Sequence, residues 1–196
     1  MDKYENYTDL KKSEKENCDF KIEHTDIDSH ITIIAPHGGK IESKTTEIAK
    51  LIAGDSYNYY SFIGQKNNNN RHLHITSHKF NEPKALELVG KSEIVIAIHG
   101  CTDKQGKKEN KKDYGKHIFI GGLNEEIKKE LEKLLKNAGF SINKDFFPGT
   151  CPKNICNRGT TGKGIQFELT KSFRNDAMCR DKFIETVRRF LLTQTI

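Results

Sequence analysis

The chain has no apolar stretch of the roughly 18 residues that a membrane-spanning helix needs, and Met1 to Phe20 is polar and charged where a secretory leader would be apolar. These two absences predict a soluble, leaderless chain that stays in the cytoplasm, or that meets an extracellular target only after lysis of its cell. A paired cysteine framework is missing as well. Five cysteines (Cys18, Cys101, Cys151, Cys156 and Cys179) are an odd number, as expected for thiols kept reduced in a cytosol. Cys151-Pro-Lys-Asn-Ile-Cys156 has no second cysteine pair to complete a structural zinc module. Tryptophan is absent, arginines are not interleaved with the remaining aromatics, and no nucleic-acid-binding motif occurs. A base-stacking platform therefore has no basis, and no specific nucleic-acid partner is expected.

What is present is enough for one compact α/β domain. At 196 residues the chain can bury a substantial core but not two. The formal net charge is +6, and lysines cluster between Lys104 and Lys116. This balance favours polyanionic partners, although most of the lysine run reads as a solvated loop.

Residues 1–22 read as a charged, partly mobile lead-in with a helix over Asn6 to Glu16, and residues 23–196 as a single domain. Strands are expected at Ile31–Ala35, Tyr57–Ile63, Leu73–Ser77, Ile94–Ile98, His117–Ile120 and Ile165–Leu169. Helical spacing marks Glu42–Ala53, a stretch around Ala85 to Val89 opened by Pro83, Leu123–Ala138 and Asp181–Leu192. Asn67 to Asn70 reads as a hairpin tip, and Cys151 to Gly164 as a glycine-rich loop. Alternating strands and helices, with strands apolar enough to be buried on both faces, predict a three-layer α/β fold: a mixed, mainly parallel sheet flanked by helices.

The chemistry-bearing residues fall where apolar runs stop. Ile31-Thr-Ile-Ile-Ala-Pro36 ends in His37-Gly38-Gly39 with Glu42 beyond, Ile94 to Ile98 ends in His99-Gly100, and Gly164 to Phe167 ends in Glu168. In open α/β sheets ligands bind beyond the carboxyl ends of strands. On a regular helix, positions five apart point about 140° away from each other. His37 and Glu42 can therefore share a metal only across a loop, which Gly38-Gly39 can supply through its freedom at φ > 0. With His99 the set becomes two imidazoles and a carboxylate, leaving a position for water, as in hydrolytic zinc sites. Glu168 is then the carboxylate that moves the proton. Taken singly, each histidine before glycine reads more readily as a loop or satisfied core residue, and the recurrence at strand ends leaves both readings open.

The segments Ala35-Pro-His-Gly-Gly-Lys-Ile-Glu42, His74-Ile-Thr-Ser-His-Lys-Phe80, Ile98-His-Gly100, Asn154-Ile-Cys-Asn-Arg-Gly159 and Gln166-Phe-Glu168 together resemble the poly-γ-glutamate hydrolase family of Bacillus and its phages. The similarity runs from about Ile31 to Leu192. The resemblance implies a fold related to zinc carboxypeptidases and other zinc exopeptidases, one zinc ion per chain, and hydrolysis of the γ-glutamyl amide bonds of poly-γ-glutamate. It also implies that His37, Glu42 and His99 hold the zinc and that Glu168 is the general base. The lysine-rich insert and the asparagine run depart from the family pattern.

An anionic polymer with one free α-carboxylate per unit suits a cationic enzyme, and salt should weaken their attraction. Arg158, with Asn157 beside it, is the first choice for gripping a carboxylate or steadying the oxyanion, because a guanidinium can bind both carboxylate oxygens. Arg71 and His78 are further substrate-side candidates, and Tyr114 a possible hydrogen-bond donor. A monomer is expected. The rival readings are a zinc peptidoglycan amidase or carboxypeptidase, and a non-enzymatic basic module that binds polyanions.

Overall fold

A computed structural model describes residues 2–194. A seven-stranded sheet carries the fold, in the order β1-β3-β2-β4-β9-β7-β8. Its members are β1 (Phe20–Thr25), β2 (Ile31–Gly39), β3 (Asn58–Gly64), β4 (Ile94–Cys101), β7 (Ile118–Gly121), β8 (Ile142–Asn143) and β9 (Ile165–Thr170). Two short strands, β5 (Lys104–Gln105) and β6 (Lys112–Asp113), pair as a separate hairpin. The central β3-β2-β4-β9 pairings are parallel, and β1 and β7 join antiparallel. Parallel strands need covering on both faces, which explains the largely apolar runs Ile31–Ala35 of β2 and Ile94–Ile98 of β4, while β9 alternates and sends Ile165, Phe167 and Leu169 into the core.

One face packs on α2 (Thr45–Ala53), α4 (Glu125–Asn137), α5 (Lys171–Asn175) and α6 (Ala177–Leu192), through residues such as Ile48, Ile52, Leu131, Phe173 and Phe183. The other carries α1 (Tyr7–Leu10), α3 (Pro83–Gly90) and the 3₁₀ turns Asn70–Leu73 and Ile155–Arg158, with Leu10, Leu88, Ile155 and Phe80 in its core. The three-layer, mainly parallel architecture is the one expected.

Several local expectations need correction. The lead-in is not a long helix: only Tyr7–Leu10 is helical, while Tyr4, Tyr7 and Leu10 are buried in the core and Phe20 opens β1. Leu73–Ser77 is not a strand. A 3₁₀ turn ends at Leu73, and the following backbone forms no sheet ladder. Glu42 does not begin a helix, because α2 starts at Thr45 and Glu42 stays in the preceding loop. The last helix starts earlier than its apolar spacing indicated, since the Asp176 side chain caps it by accepting from the Cys179 amide.

Candidate metal centre and its cavity

The site begins with a fault in β2. Ala35 pairs with Ser61, yet Gly38 pairs with Ile63, so β2 advances three residues while β3 advances two. An extra residue of this kind reverses the alternation of side chains beyond it. Ile31, Ile33 and Ala35 point into the core beneath α2 and α6. Without the bulge His37 would follow them. With it, His37 turns to the opposite face, where His99 and Glu168 lie as direct partners across β4 and β9.

The two glycines after His37 serve different ends. Gly39 adopts φ +65°, a conformation open to glycine at little cost. Gly38 is needed for room: a Cβ there would lie 2.2 Å from Thr46 Oγ1 and 2.3 Å from Ser61 Oγ. The chain then returns so that the Glu42 amide donates to the His37 carbonyl at 2.9 Å.

Three side chains converge. His37 Nδ1 is 3.1 Å from Glu42 Oε1 and 3.1 Å from His99 Nδ1, and His99 Nδ1 is 3.7 Å from Glu42 Oε2. All three residues are buried, and a donor atom from each lies within 4.8 Å of the others. Glu42 Oε2 also accepts from the Gly100 amide at 2.8 Å. His37 Nε2 is 2.8 Å from the Ile75 carbonyl. A carbonyl only accepts, so Nε2 carries the proton and, in the neutral ring, Nδ1 offers its lone pair to the cluster. Two imidazole nitrogens and a carboxylate brought this close in a buried place need a shared proton or a cation among them. The donor set, with His37 already oriented from behind by Ile75, fits a zinc ion.

Electrostatics agree with a place built for positive charge. Burial opposes a charged His37, but Glu42 outweighs it and raises the imidazole above its usual value. Burial likewise works against the Glu42 carboxylate, and His37 and His99 overcome it, holding Glu42 well below the ordinary range. His99 is shifted downward, chiefly by burial. Glu168 moves the other way: burial first, then the Glu42 charge, raises it well above the usual carboxylate value, with Arg174 opposing.

These residues line a cavity of about 380 Å³ whose walls also include Arg71, His74, Thr76, Ser77, Cys101, Gln105 and Phe147. A larger groove of about 530 Å³ between α4 and α6 shares no residue with it. His37, Glu42, His99, Glu168 and Arg71 are thus brought together. Arg158, Asn157 and His78 are not. Arg158 is spent on backbone, donating to the carbonyls of Lys153, Phe80 and His78 at 2.7, 3.0 and 3.0 Å. Asn157 accepts from the Leu123 and Gly164 amides and donates to the carbonyls of Gly149 and Cys151. With its side-chain groups so engaged, it organises the loop it sits in. His78 is exposed and outside the cavity wall. Tyr114 packs edge-on against Phe119 and Phe146.

The sequence reading passed over three contributors. His74 stacks on His37 with ring centroids 4.0 Å apart, and its Nδ1 is 2.8 Å from Asp2 Oδ1. Asp2 also accepts from the amide and hydroxyl of Thr76, both at 2.6 Å. Burial, then the neighbouring His37, lowers His74 to about 4. Ser77 Oγ approaches His99 Nε2 at 3.4 Å. Arg174, also buried, donates to the carbonyls of Leu169, Ser43 and Cys101, and so ties the ends of β9 and β4 to the loop holding Glu42. The motif beginning at His74 was the available signal for the first and last of the cavity-wall residues 74–77. Nothing local marks Arg174, two of whose three partners, Ser43 and Cys101, are far away in sequence.

Comparison with known proteins finds relatives in sequence and in architecture. A family model described as poly-gamma-glutamate hydrolase matches residues 4–189. The SPbeta prophage-derived protein YoqZ of Bacillus subtilis (strain 168) is 37% identical over 179 residues, covering 89% of this chain and 61% of that protein. YndL of the same organism is 34% identical over 177 residues, covering 88% and 66%. The chain therefore spans somewhat under two thirds of the length of these two relatives. A solved structure of a bacteriophage poly-gamma-glutamate hydrolase superposes with a TM-score of 0.89 at 26% identity, over 99% of this chain and 98% of that one. The zinc-free apo form of YndL superposes with a TM-score of 0.88 at 31% identity, over the whole of both chains.

Proposed function

Because this chain belongs to the poly-γ-glutamate hydrolase family, we propose that it hydrolyses the γ-glutamyl amide bonds of poly-γ-glutamate, with one zinc ion held by His37, Glu42 and His99 and with Glu168 as general base. The observation that carries this reading is the convergence of those three donors within 4.8 Å, in a cavity that Glu168 also lines. A zinc ion there supplies Lewis acidity to water and to the amide carbonyl.

The remaining work falls to the chain. Ile75 fixes the His37 ring from behind, and the Gly100 amide fixes one Glu42 oxygen. Glu168 takes a proton from the attacking water and returns it to the departing amine nitrogen. Arg71 is the cation on the cavity wall, with no carboxylate partner among the described residues, and it replaces Arg158 as the group that grips an α-carboxylate. Arg174 ties together the segments that carry Glu42, His99 and Glu168.

Glu168 acts as a base only when deprotonated. Its carboxyl is raised above the ordinary 4.5, first by burial, so activity is lost as pH falls through a value above the usual carboxylate range. A kcat/KM profile should show an acid limb above pH 4.5. An acid limb that persisted unchanged in the residual activity of Glu168→Gln would remove Glu168 from the role.

Substrate class is tested by incubating the protein with purified poly-γ-glutamate, peptidoglycan and α-linked peptides, followed by chromatography of the products. Shortening of poly-γ-glutamate with the others intact is expected. Cleavage of peptidoglycan or α-peptides in its place would make this a zinc amidase or carboxypeptidase of another kind. Among the described residues no helix is long and apolar enough to cross a membrane.

A further inference from the structure

The lysine-rich insert is not an independent loop but an ordered hairpin rooted in the cavity wall. Asp103 at its base accepts from the amide and hydroxyl of Ser172 at 2.8 and 2.7 Å, and its carbonyl takes the Tyr114 amide at 2.9 Å. On the first arm, Gln105 lines the cavity and pairs directly with Lys112 on the second. Directly paired residues of an antiparallel hairpin project to the same side, so Lys112 shares the cavity-facing side with Gln105. Lys112 Nζ lies 4.8 Å from the centre of the Tyr114 ring, and Tyr114 is itself packed against Phe119 and Phe146. This underlay holds the ammonium on the hairpin side that Gln105 shares.

Beyond it, the turn carries Lys107, Lys108 and Lys111, all exposed and without an ion-pair partner among the described residues. Across residues 104–113, five lysines face only Glu109 and Asp113. Unpaired cations lined up from a cavity mouth outward suit a flexible polyanion that enters the cavity at one point and trails across the surface. Single-stranded nucleic acid is the less suitable occupant. The hairpin has no arginine, and its aromatic ring is occupied by Phe119, Phe146 and Lys112, leaving no free face for a base.

We propose that the β5–β6 hairpin is an accessory polyanion-binding platform, taking the α-carboxylates of poly-γ-glutamate units beyond the one being cleaved. This rests on the substrate reading above. The tip lysines then act on long chains and are out of reach of a short oligomer. Steady-state kinetics at low salt on long poly-γ-glutamate and on a γ-glutamyl trimer, with the unmodified protein, K107E/K108E/K111E and K107R/K108R/K111R, tests it. In the glutamate variant the ratio of polymer to trimer kcat/KM is expected to fall about tenfold, through KM, and its salt dependence to flatten. The arginine variant should keep the ratio. An unchanged ratio in the glutamate variant would overturn the platform alone, as would loss of single-stranded DNA binding with polymer hydrolysis unaffected. If the unmodified protein cleaved neither polymer nor trimer, the substrate reading would fall and this proposal with it.

Discussion

Glu168→Gln is expected to bind zinc as the unmodified protein does and to lose about a thousandfold in kcat, within the range that a positioned general base contributes. The substitution is nearly isosteric, and Glu168 is not among the three converging donors, so metal content should be untouched. It removes the group that carries the proton. It also removes a half-buried carboxylate whose charge the neighbouring Glu42 disfavours, so the variant should melt no lower than its parent. Stoichiometric zinc with collapsed turnover would separate the proton carrier from the ligands. Near-normal turnover with zinc bound would end the general-base assignment.

His99→Ala should fail in both respects. Its Nδ1 is within 3.1 Å of His37 Nδ1 and 3.7 Å of Glu42, and the variant retains only two of the donors. Loss of groups that merely orient a ligand already weakens metal binding by about 10- to 100-fold. Removing a ligand itself should exceed about a hundredfold and leave hydrolysis at background. Metal analysis after dialysis, beside a circular-dichroism spectrum to show an intact fold, reads this result. Full zinc occupancy in His99→Ala would transfer the site to another set of residues.

The difference between these two variants follows from backbone placement, and it shows what the sequence could and could not reveal. That His99 stands at the end of an apolar run was legible, because a parallel strand buried on both faces leaves few polar positions. Glu168 sits in an alternating strand and was legible from its motif. The β2 bulge was not. Hydrophobic pattern places His37 on the same side as Ala35, and only the three-against-two register with β3 turns it toward His99. The nature of Gly38 was equally hidden, since its requirement is space against Thr46 and Ser61 and not backbone freedom.

Arg158 shows the converse error. A guanidinium in a glycine-rich loop near the catalytic strand has the right chemistry for carboxylates, but its donors are satisfied by three carbonyls, two of them about eighty positions earlier in the chain. Arg158 thus ties its loop to residues 78–80. β1 was missed for a related reason. Phe20–Thr25 is an edge strand with a mostly solvated face, flanked by charges, and its composition resembles that of a lead-in. Arg174 leaves no trace in any local pattern, yet it anchors both strand ends that carry the site.

The central claim is that hydrolysis depends on a metal held by His37, Glu42 and His99. Its most direct test follows the size of poly-γ-glutamate during incubation with the protein, first treated with a chelator and dialysed, then resupplied with one equivalent of zinc. The polymer should stay long after chelation and shorten again once zinc is returned. Continued shortening by protein shown to be free of metal would contradict the account.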